Sequence, residues 1–182
     1  MILTAALLML VISLIGVVLF LPPGAALFRR QPTAWAIALI GLLATSGVLA
    51  AAGSVDGPGL NFVAAILVSV SAALFGGSHV TEAVFRWASF KGPDGTPHPV
   101  GEPSNPGILQ GGLWIGLLER VAIAATLWAG WPEGLAVVLA VKGLGRFAEL
   151  KDHAAAERFI LGTFASVLWA AGCYGIGRLL GS

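Results

Sequence analysis

Long apolar stretches separated by short polar breaks dominate the pattern of this chain. Six of them have roughly the 20 residues that a helix needs to cross a bilayer. They cover residues 1–21, 33–52, 61–80, 108–131, 133–150 and 158–180. All ten prolines lie at the ends of these segments or between them, as expected if each segment is one continuous helix. The pattern predicts an all-α, polytopic transmembrane bundle of about six spanning helices.

The first segment resembles a signal peptide only superficially. No basic stretch precedes it, and its apolar run is longer than the roughly 7–15 residues of a signal-peptide core. We therefore expect a retained first span. The six segments use most of the 182 residues, which predicts a single membrane domain over residues 1–182 without a separate soluble domain.

Composition agrees with a chain surrounded by lipid. Charged residues make up 10% of the sequence, whereas soluble domains carry roughly 25%. The net charge of +1 argues against a nucleic-acid partner, which requires a basic face. The single cysteine, Cys173, excludes an internal disulfide framework and lies in an apolar run typical of a core position.

The basic residues predict the orientation of the helices. If the chain starts outside, the segments on the inside hold Arg29, Arg30, Arg86, Lys91, Lys151 and Arg158. The outside connections, around Asp56 and residues 132–133, hold no lysine or arginine. The positive-inside rule then places both ends of this chain outside the cytoplasm.

A loop over residues 91–110 separates the first three segments from the last three. Between positions 92 and 107 it contains five prolines and four glycines, so it can form neither a helix nor a regular strand. We expect a cytoplasmic linker between two three-helix halves. A lid or a partner-binding loop is the alternative.

Four ionisable residues lie deep in apolar segments: Glu119 and Arg120 in the fourth, and Lys142 and Arg146 in the fifth. A charge at the centre of a spanning helix costs from about 3 to more than 10 kcal/mol, so such residues are paired, hydrated or functional. Reflection about the turn at Pro132 places Glu119 level with Arg146, and Lys142 is one turn away on the same face.

This polar face should continue beyond the hairpin. Along the fifth segment the spacing i, i+4, i+7, i+11 extends it from Lys142 and Arg146 to Glu149 and His153. Arg120 points about 100° away from Glu119 and needs a different partner. Candidates lie at the inner ends of the third and sixth segments: His79, Glu82 and Arg86, which share one helical face, and Glu157 and Arg158. We expect one polar cluster near the cytoplasmic leaflet.

Three interpretations of this cluster remain open. It can be an ion-paired network that determines helix packing. It can bind or transport an anion, with Arg120, Lys142 and Arg146 holding a lipid phosphate or a small anion and Glu119 as counter-charge or proton carrier. It can also be a metal-dependent intramembrane enzyme, because His79 with Glu82, and Glu149 with His153, have spacings that allow a shared metal.

The C-terminal half also resembles a family of small bacterial multi-span membrane proteins. The residues that carry the resemblance lie between positions 111 and 170: the stretch 112–116 with Glu119 and Arg120, then Lys142, Arg146, Phe147 and Glu149, and finally 156–159 with Gly162, Thr163 and Ser166. The resemblance implies a bacterial membrane protein and no particular activity.

We therefore expect a multi-pass protein of the bacterial inner membrane that binds or transports a small or lipid-like anion. A structural or accessory subunit of a larger membrane complex is the first alternative, and the metal-dependent enzyme is the second. We predict no cofactor. The expected partners are the lipid bilayer, an anionic lipid or small anion, and further copies of the chain or a larger complex.

Overall fold

The computed structural model describes residues 1–20, 31–53, 61–88, 109–151 and 153–181. These residues form six α-helices and one 3-10 turn, and they contain no strand. The helices are α1 (Ile2–Phe20), α2 (Pro32–Gly53), α3 (Phe62–Trp87), α4 (Leu109–Trp128), α5 (Gly134–Gly145) and α6 (His153–Leu180), with the 3-10 turn at Glu149–Lys151. The prediction of an all-α fold is confirmed for this part of the chain.

Four of these helices, α1, α2, α3 and α6, are long and apolar enough to cross a membrane. Helix α4 has 20 residues but carries Glu119 and Arg120 near its middle. Helix α5 has 12 residues, which span about 18 Å at 1.5 Å per residue, less than the roughly 30 Å of a hydrocarbon core. The long apolar helices indicate a membrane protein.

The helix ends have local causes that can be read from the sequence. Pro32 begins α2, where its missing N–H costs nothing. Asn61 caps α3 by accepting a hydrogen bond from the Val63 N–H at 3.0 Å. Helix α4 ends in a Schellman-type turn, in which Gly130 has a φ of 70° and the Trp131 N–H donates to the Thr126 carbonyl at 2.9 Å. This turn reverses the chain into α5.

Helix α3 is the centre of the bundle and packs against α1, α2, α4 and α6. Its contact with α1 is close, because a Cβ added to Gly16 would lie 2.6 Å from the Phe75 carbonyl carbon. Small residues permit such approaches between membrane helices. The buried core around this contact includes Met9, Ile12 and Cys173, as expected for the cysteine.

Contacts between side chains define the relative helix directions. Gly162 of α6 lies against Phe85 of α3, and Gly177 lies against Ser69, so α3 and α6 are antiparallel. Phe62, at the start of α3, packs on Trp128 at the end of α4, and Gly77, further along α3, lies beside Arg120, which precedes Trp128. Helices α3 and α4 are therefore also antiparallel. Helices α4 and α6 are therefore parallel to each other.

Helix α5 is shorter than the predicted fifth segment. Gly143 and Gly145 weaken the helix at its end, and the next hydrogen bonds, from the Arg146 and Phe147 N–H groups to Gly143 and Leu144, are of the tighter i to i−3 type. The predicted continuous face from Lys142 through Arg146, Glu149 and His153 is therefore wrong. The chain turns at Arg146, and His153 begins a different helix.

Two other helices are longer than predicted. Helix α3 continues past Val80 to Trp87, and α6 begins at His153 instead of Arg158. The polar residues at these two helix ends therefore belong to the helices and not to the loops between them. The loop predicted over 91–110 lies, up to residue 108, outside the described residues, as do Arg29, Arg30, Asp56 and Lys91.

Candidate functional site

Glu119 and Lys142 form an ion pair between α4 and α5. The Lys142 Nζ lies 2.6 Å from both carboxylate oxygens of Glu119. Glu119 is buried, the Lys142 side chain is 20% exposed, and its Nζ lies 5.4 Å from the centre of the Phe159 ring of α6. Of the two partners predicted for Glu119, Lys142 therefore forms the ion pair. Arg146 is exposed in the turn that follows α5.

Arg120 lies where α3, α4 and α6 meet. It is only 4% exposed. A Cβ on Gly77 of α3 would lie 2.6 Å from the Arg120 Cδ and 3.0 Å from its Nε, and the Trp169 ring of α6 is 3.1 Å from the same point. Gly116, one turn earlier on α4, leaves room for the guanidinium nitrogens at 3.7 and 3.9 Å. Glycines thus provide the space that this buried arginine occupies.

The Arg120 guanidinium is incompletely satisfied. Its Nε is buried and has no hydrogen-bond partner in the described part of the chain. Both oxygens of the neighbouring carboxylate already accept hydrogen bonds from Lys142. A buried cation without full hydrogen bonding is costly, so this arrangement calls for a compensating group.

Two side-chain hydroxyls on α6 are also buried without a hydrogen-bond partner in the described region. Thr163 Oγ1 and Ser166 Oγ have no hydrogen-bond partner among the described residues. Trp128 of α4 contacts Tyr174 of α6 with ring centroids 5.1 Å apart. Counting eight residues back along both parallel helices, from 128 to 120 and from 174 to 166, places Ser166 level with Arg120. By the same count, Thr163 lies about one turn from that level.

The buried charges at this height do not cancel. Glu119 contributes one negative charge, and Arg120 and Lys142 contribute one positive charge each. The formal sum of these three charges is plus one. A single anion would balance it and could accept hydrogen bonds from the Arg120 Nε and from hydroxyls.

Two adjacent glycines in α3, which were not predicted as site residues, make room for the side chains of this site. A Cβ on Gly76 would lie 2.5 Å from Cζ2 of Trp169, whose Nε1 donates to the Ala72 carbonyl at 3.1 Å. Gly76 thus admits the indole ring, and Gly77 admits Arg120. The available signal was a Gly-Gly pair inside an otherwise apolar helix.

The predicted polar face of α3 is divided. His79 is buried, and its Nδ1 lies 3.1 Å from the Phe75 carbonyl, with the Leu19 backbone of α1 also in hydrogen-bonding contact. Glu82 accepts a hydrogen bond from Arg86 at 2.9 Å on the exposed surface. The expected carboxylate partner for Arg120 from α3 is therefore not Glu82.

The remaining predicted residues lie at the end of the bundle where α5 finishes and α6 begins. Arg146, His153 and Glu157 are exposed, and Arg158 is half-buried with its Nε buried and unpartnered in the described region. Glu149 lies in the 3-10 turn. Arg158 is next in sequence to Phe159, whose ring lies 5.4 Å from the Lys142 Nζ, so this end of α6 adjoins the Glu119–Lys142 pair.

The weak metal-ligand candidates, His79, Glu82, Glu149 and His153, receive no support. Within the described residues, no group of three or more histidine, cysteine, aspartate or glutamate side chains could hold a metal ion.

Comparison with protein-family models, with curated proteins and with solved structures finds no match to this chain.

Proposed function

We propose that this chain is a membrane protein that binds a small or lipid-like anion at Arg120 and supports its movement across the bilayer. The observation that carries the proposal is the buried Arg120 guanidinium, whose Nε lacks a hydrogen-bond partner in the described part of the chain. The neighbouring carboxylate of Glu119 is already bound by Lys142. An anion would supply the missing charge and the missing acceptor.

The membrane arrangement that we propose has six crossings in a bacterial inner membrane. Helix α4, with 20 residues, reaches about 30 Å, and α5 followed by the 3-10 turn would complete the return. The bundle end that holds Arg86, Arg146, Lys151 and Arg158 would face the cytoplasm, because lysine and arginine concentrate there. Arg178 lies at the opposite end.

The position of Arg120 favours transport over simple structural pairing. It lies near the middle of α4, and its neighbours Gly77 and Trp169 lie near the middles of α3 and α6. A charged group at mid-depth is the usual mark of a substrate or ion pathway in membrane proteins. Unpaired hydroxyls at the same height, Thr163 and Ser166, would replace part of the hydration shell of an anion.

The binding test uses the purified full chain in nanodiscs of zwitterionic lipid. The melting temperature is measured in chloride, nitrate and inorganic phosphate, each against gluconate at equal ionic strength. A ligand that binds only the folded state raises the melting temperature with its concentration. We expect at least one of these anions to do so in the wild type and to lose most of this effect in Arg120→Gln.

The matched control is Arg86→Gln, which removes an arginine from a surface ion pair. It should retain the full anion response. If Arg120→Gln does not fold, Arg120→Lys keeps the charge but loses Nε, and should show a weaker response. Efflux of the responding anion from proteoliposomes then tests transport. An anion response that is the same in Arg120→Gln and the wild type would exclude this site.

A second candidate function is that of a subunit in a larger membrane complex. Helix α5 packs mainly against α4 and contacts α6 through Lys142 and the Phe159 ring. Its residues Ala136, Val137, Ala140, Val141 and Leu144 form one exposed face. Small residues four apart, here Ala136 and Ala140, permit close helix contact. A stable assembly seen by light scattering, lost on Ala140→Trp and accompanied by no anion response, would favour this alternative.

A further inference from the structure

A small cavity lies at the opposite end of the bundle from the α5–α6 junction. Its volume is about 90 Å³, and it is lined by Phe62, Trp128, Gly177, Arg178 and Gly181. Here the last turns of α4 and α6 meet the first turn of α3. The cavity has room for a group of several heavy atoms, since one water needs only about 10–15 Å³ measured in the same way.

One of the lining residues, Trp128, carries a buried hydrogen-bond donor. The Trp128 Nε1 is buried and has no hydrogen-bond partner in the part of the chain that the structure describes. The indole packs edge to face against Phe62, at 5.6 Å, and against Tyr174, at 5.1 Å. A Cβ on Gly177 would lie 2.9 Å from Cζ2 of the ring. Packing on three sides therefore holds the ring and the direction of its N–H.

The second polar group of the cavity is a cation. Arg178, in the last turn of α6, is exposed and lines the same space. An indole N–H and a guanidinium are both donors without acceptor capacity, so a complementary ligand must present acceptors and negative charge. Arginine binds phosphate well because its planar fork matches two phosphate oxygens.

We infer that this cavity is a binding site for a phosphate group, distinct from the site at Arg120. The end of a bundle of spanning helices lies at the level of the lipid headgroups, where tryptophan and arginine are common. Phe62 is 52% exposed beside the cavity and offers an apolar surface to an acyl chain. A lipid phosphodiester and free inorganic phosphate share the required chemistry, and a membrane lipid is the source that this location favours.

The test uses the full chain in detergent and measures its melting temperature with added phosphatidylglycerol, dioleoylglycerol or inorganic phosphate. Dioleoylglycerol has the acyl chains without the phosphate. We expect phosphatidylglycerol to raise the melting temperature and dioleoylglycerol to have little effect. A rise with inorganic phosphate that matches that of the lipid would identify free phosphate as a sufficient ligand.

The variants are Trp128→Phe, which removes the N–H and keeps a ring, and Arg178→Gln. Each should reduce the phosphatidylglycerol effect by about twofold or more. Trp114→Phe is the matched control, because Trp114 is exposed on α4 away from the cavity. Arg120→Gln should retain the effect, which separates this site from the proposed function. A full response in both Trp128→Phe and Arg178→Gln, or an equal response to dioleoylglycerol, would overturn the inference.

Discussion

The Lys142 ammonium lies 2.6 Å from both carboxylate oxygens of Glu119, and this pair joins α4 to α5 near the middle of α4. Charge-assisted hydrogen bonds of this length are among the strong ones in proteins. The pair has a consequence for the next residue, Arg120. Both Glu119 oxygens accept hydrogen bonds from Lys142, and the Arg120 Nε has no hydrogen-bond partner in the described part of the chain.

The Glu119–Lys142 pair should show strong energetic coupling. Glu119→Gln leaves the ammonium, and Lys142→Gln leaves the carboxylate, without a partner in a poorly hydrated place. Because the Lys142 side chain is 20% exposed, we expect each single change to cost about 1–3 kcal/mol, less than for a fully buried pair. The double variant should recover part of this loss. Unfolding in mixed micelles measures the four free energies.

Arg146→Gln is the control for this cycle. Arg146 is exposed beyond the end of α5, so its replacement should change stability less than Glu119→Gln does. Strict additivity of Glu119→Gln and Lys142→Gln would show that the pair makes no net contribution.

The hydroxyls of Thr163 and Ser166 should matter for binding more than for stability. Thr163→Val and Ser166→Ala remove buried hydroxyls that lack partners among the described residues, and such a change is neutral or stabilising by about 1 kcal/mol. The anion-induced rise in melting temperature should decrease in both variants. A lower melting temperature without anion, combined with an intact anion response, would contradict this role.

Gly77→Ala should disturb the anion site more than the fold. The new methyl group would lie 2.6 Å from the Arg120 Cδ, so the side chain must shift, and a long side chain can do so at modest cost. We expect a loss of about 1–2 kcal/mol in stability and a strongly reduced anion response. In an Arg120→Gln background, Gly77→Ala should change stability less, which the same melting assay measures.

Gly16→Ala should be far more destabilising than Gly41→Ala. A methyl group at Gly16 would meet the Phe75 carbonyl carbon at 2.6 Å, and helix backbones cannot move apart without loss of packing along α1 and α3. A methyl group at Gly41, on α2, meets nothing within 4 Å and should stabilise the helix by up to about 1 kcal/mol. Equal melting temperatures would argue against the close α1–α3 contact.

The proposed orientation predicts opposite labelling of two exposed positions. A membrane-impermeant maleimide applied to intact cells should react with Glu133→Cys and not with Lys151→Cys, and the pattern should reverse in inside-out vesicles. Cys173 is fully buried and should remain unlabelled in both preparations. The reverse pattern would invert the proposed topology.

Much of the fold could be predicted because lipid imposes simple rules on a sequence. A backbone in hydrocarbon must satisfy its hydrogen bonds internally, so each long apolar segment predicts a helix. Counting residues about Pro132 placed Glu119 level with Arg146 and one turn from Lys142, whereas Lys142 is the residue that forms the ion pair. The same counting failed beyond Gly145, where weak local helix propensity and tight i to i−3 bonds ended α5 before the predicted polar face was complete.

The sequence by itself determined the class of the protein, the helical segments and the identity of the deep charges, since these depend on hydropathy and on local geometry. Only the tertiary structure showed that the Arg120 Nε is buried without a hydrogen-bond partner in the described part of the chain. That outcome depends on distances between α3, α4 and α6, which Gly76 and Gly77 set by admitting Trp169 and Arg120. Contacts between residues far apart in the chain leave no periodic pattern in the sequence, so a buried arginine beside two glycines became visible only in the packed bundle.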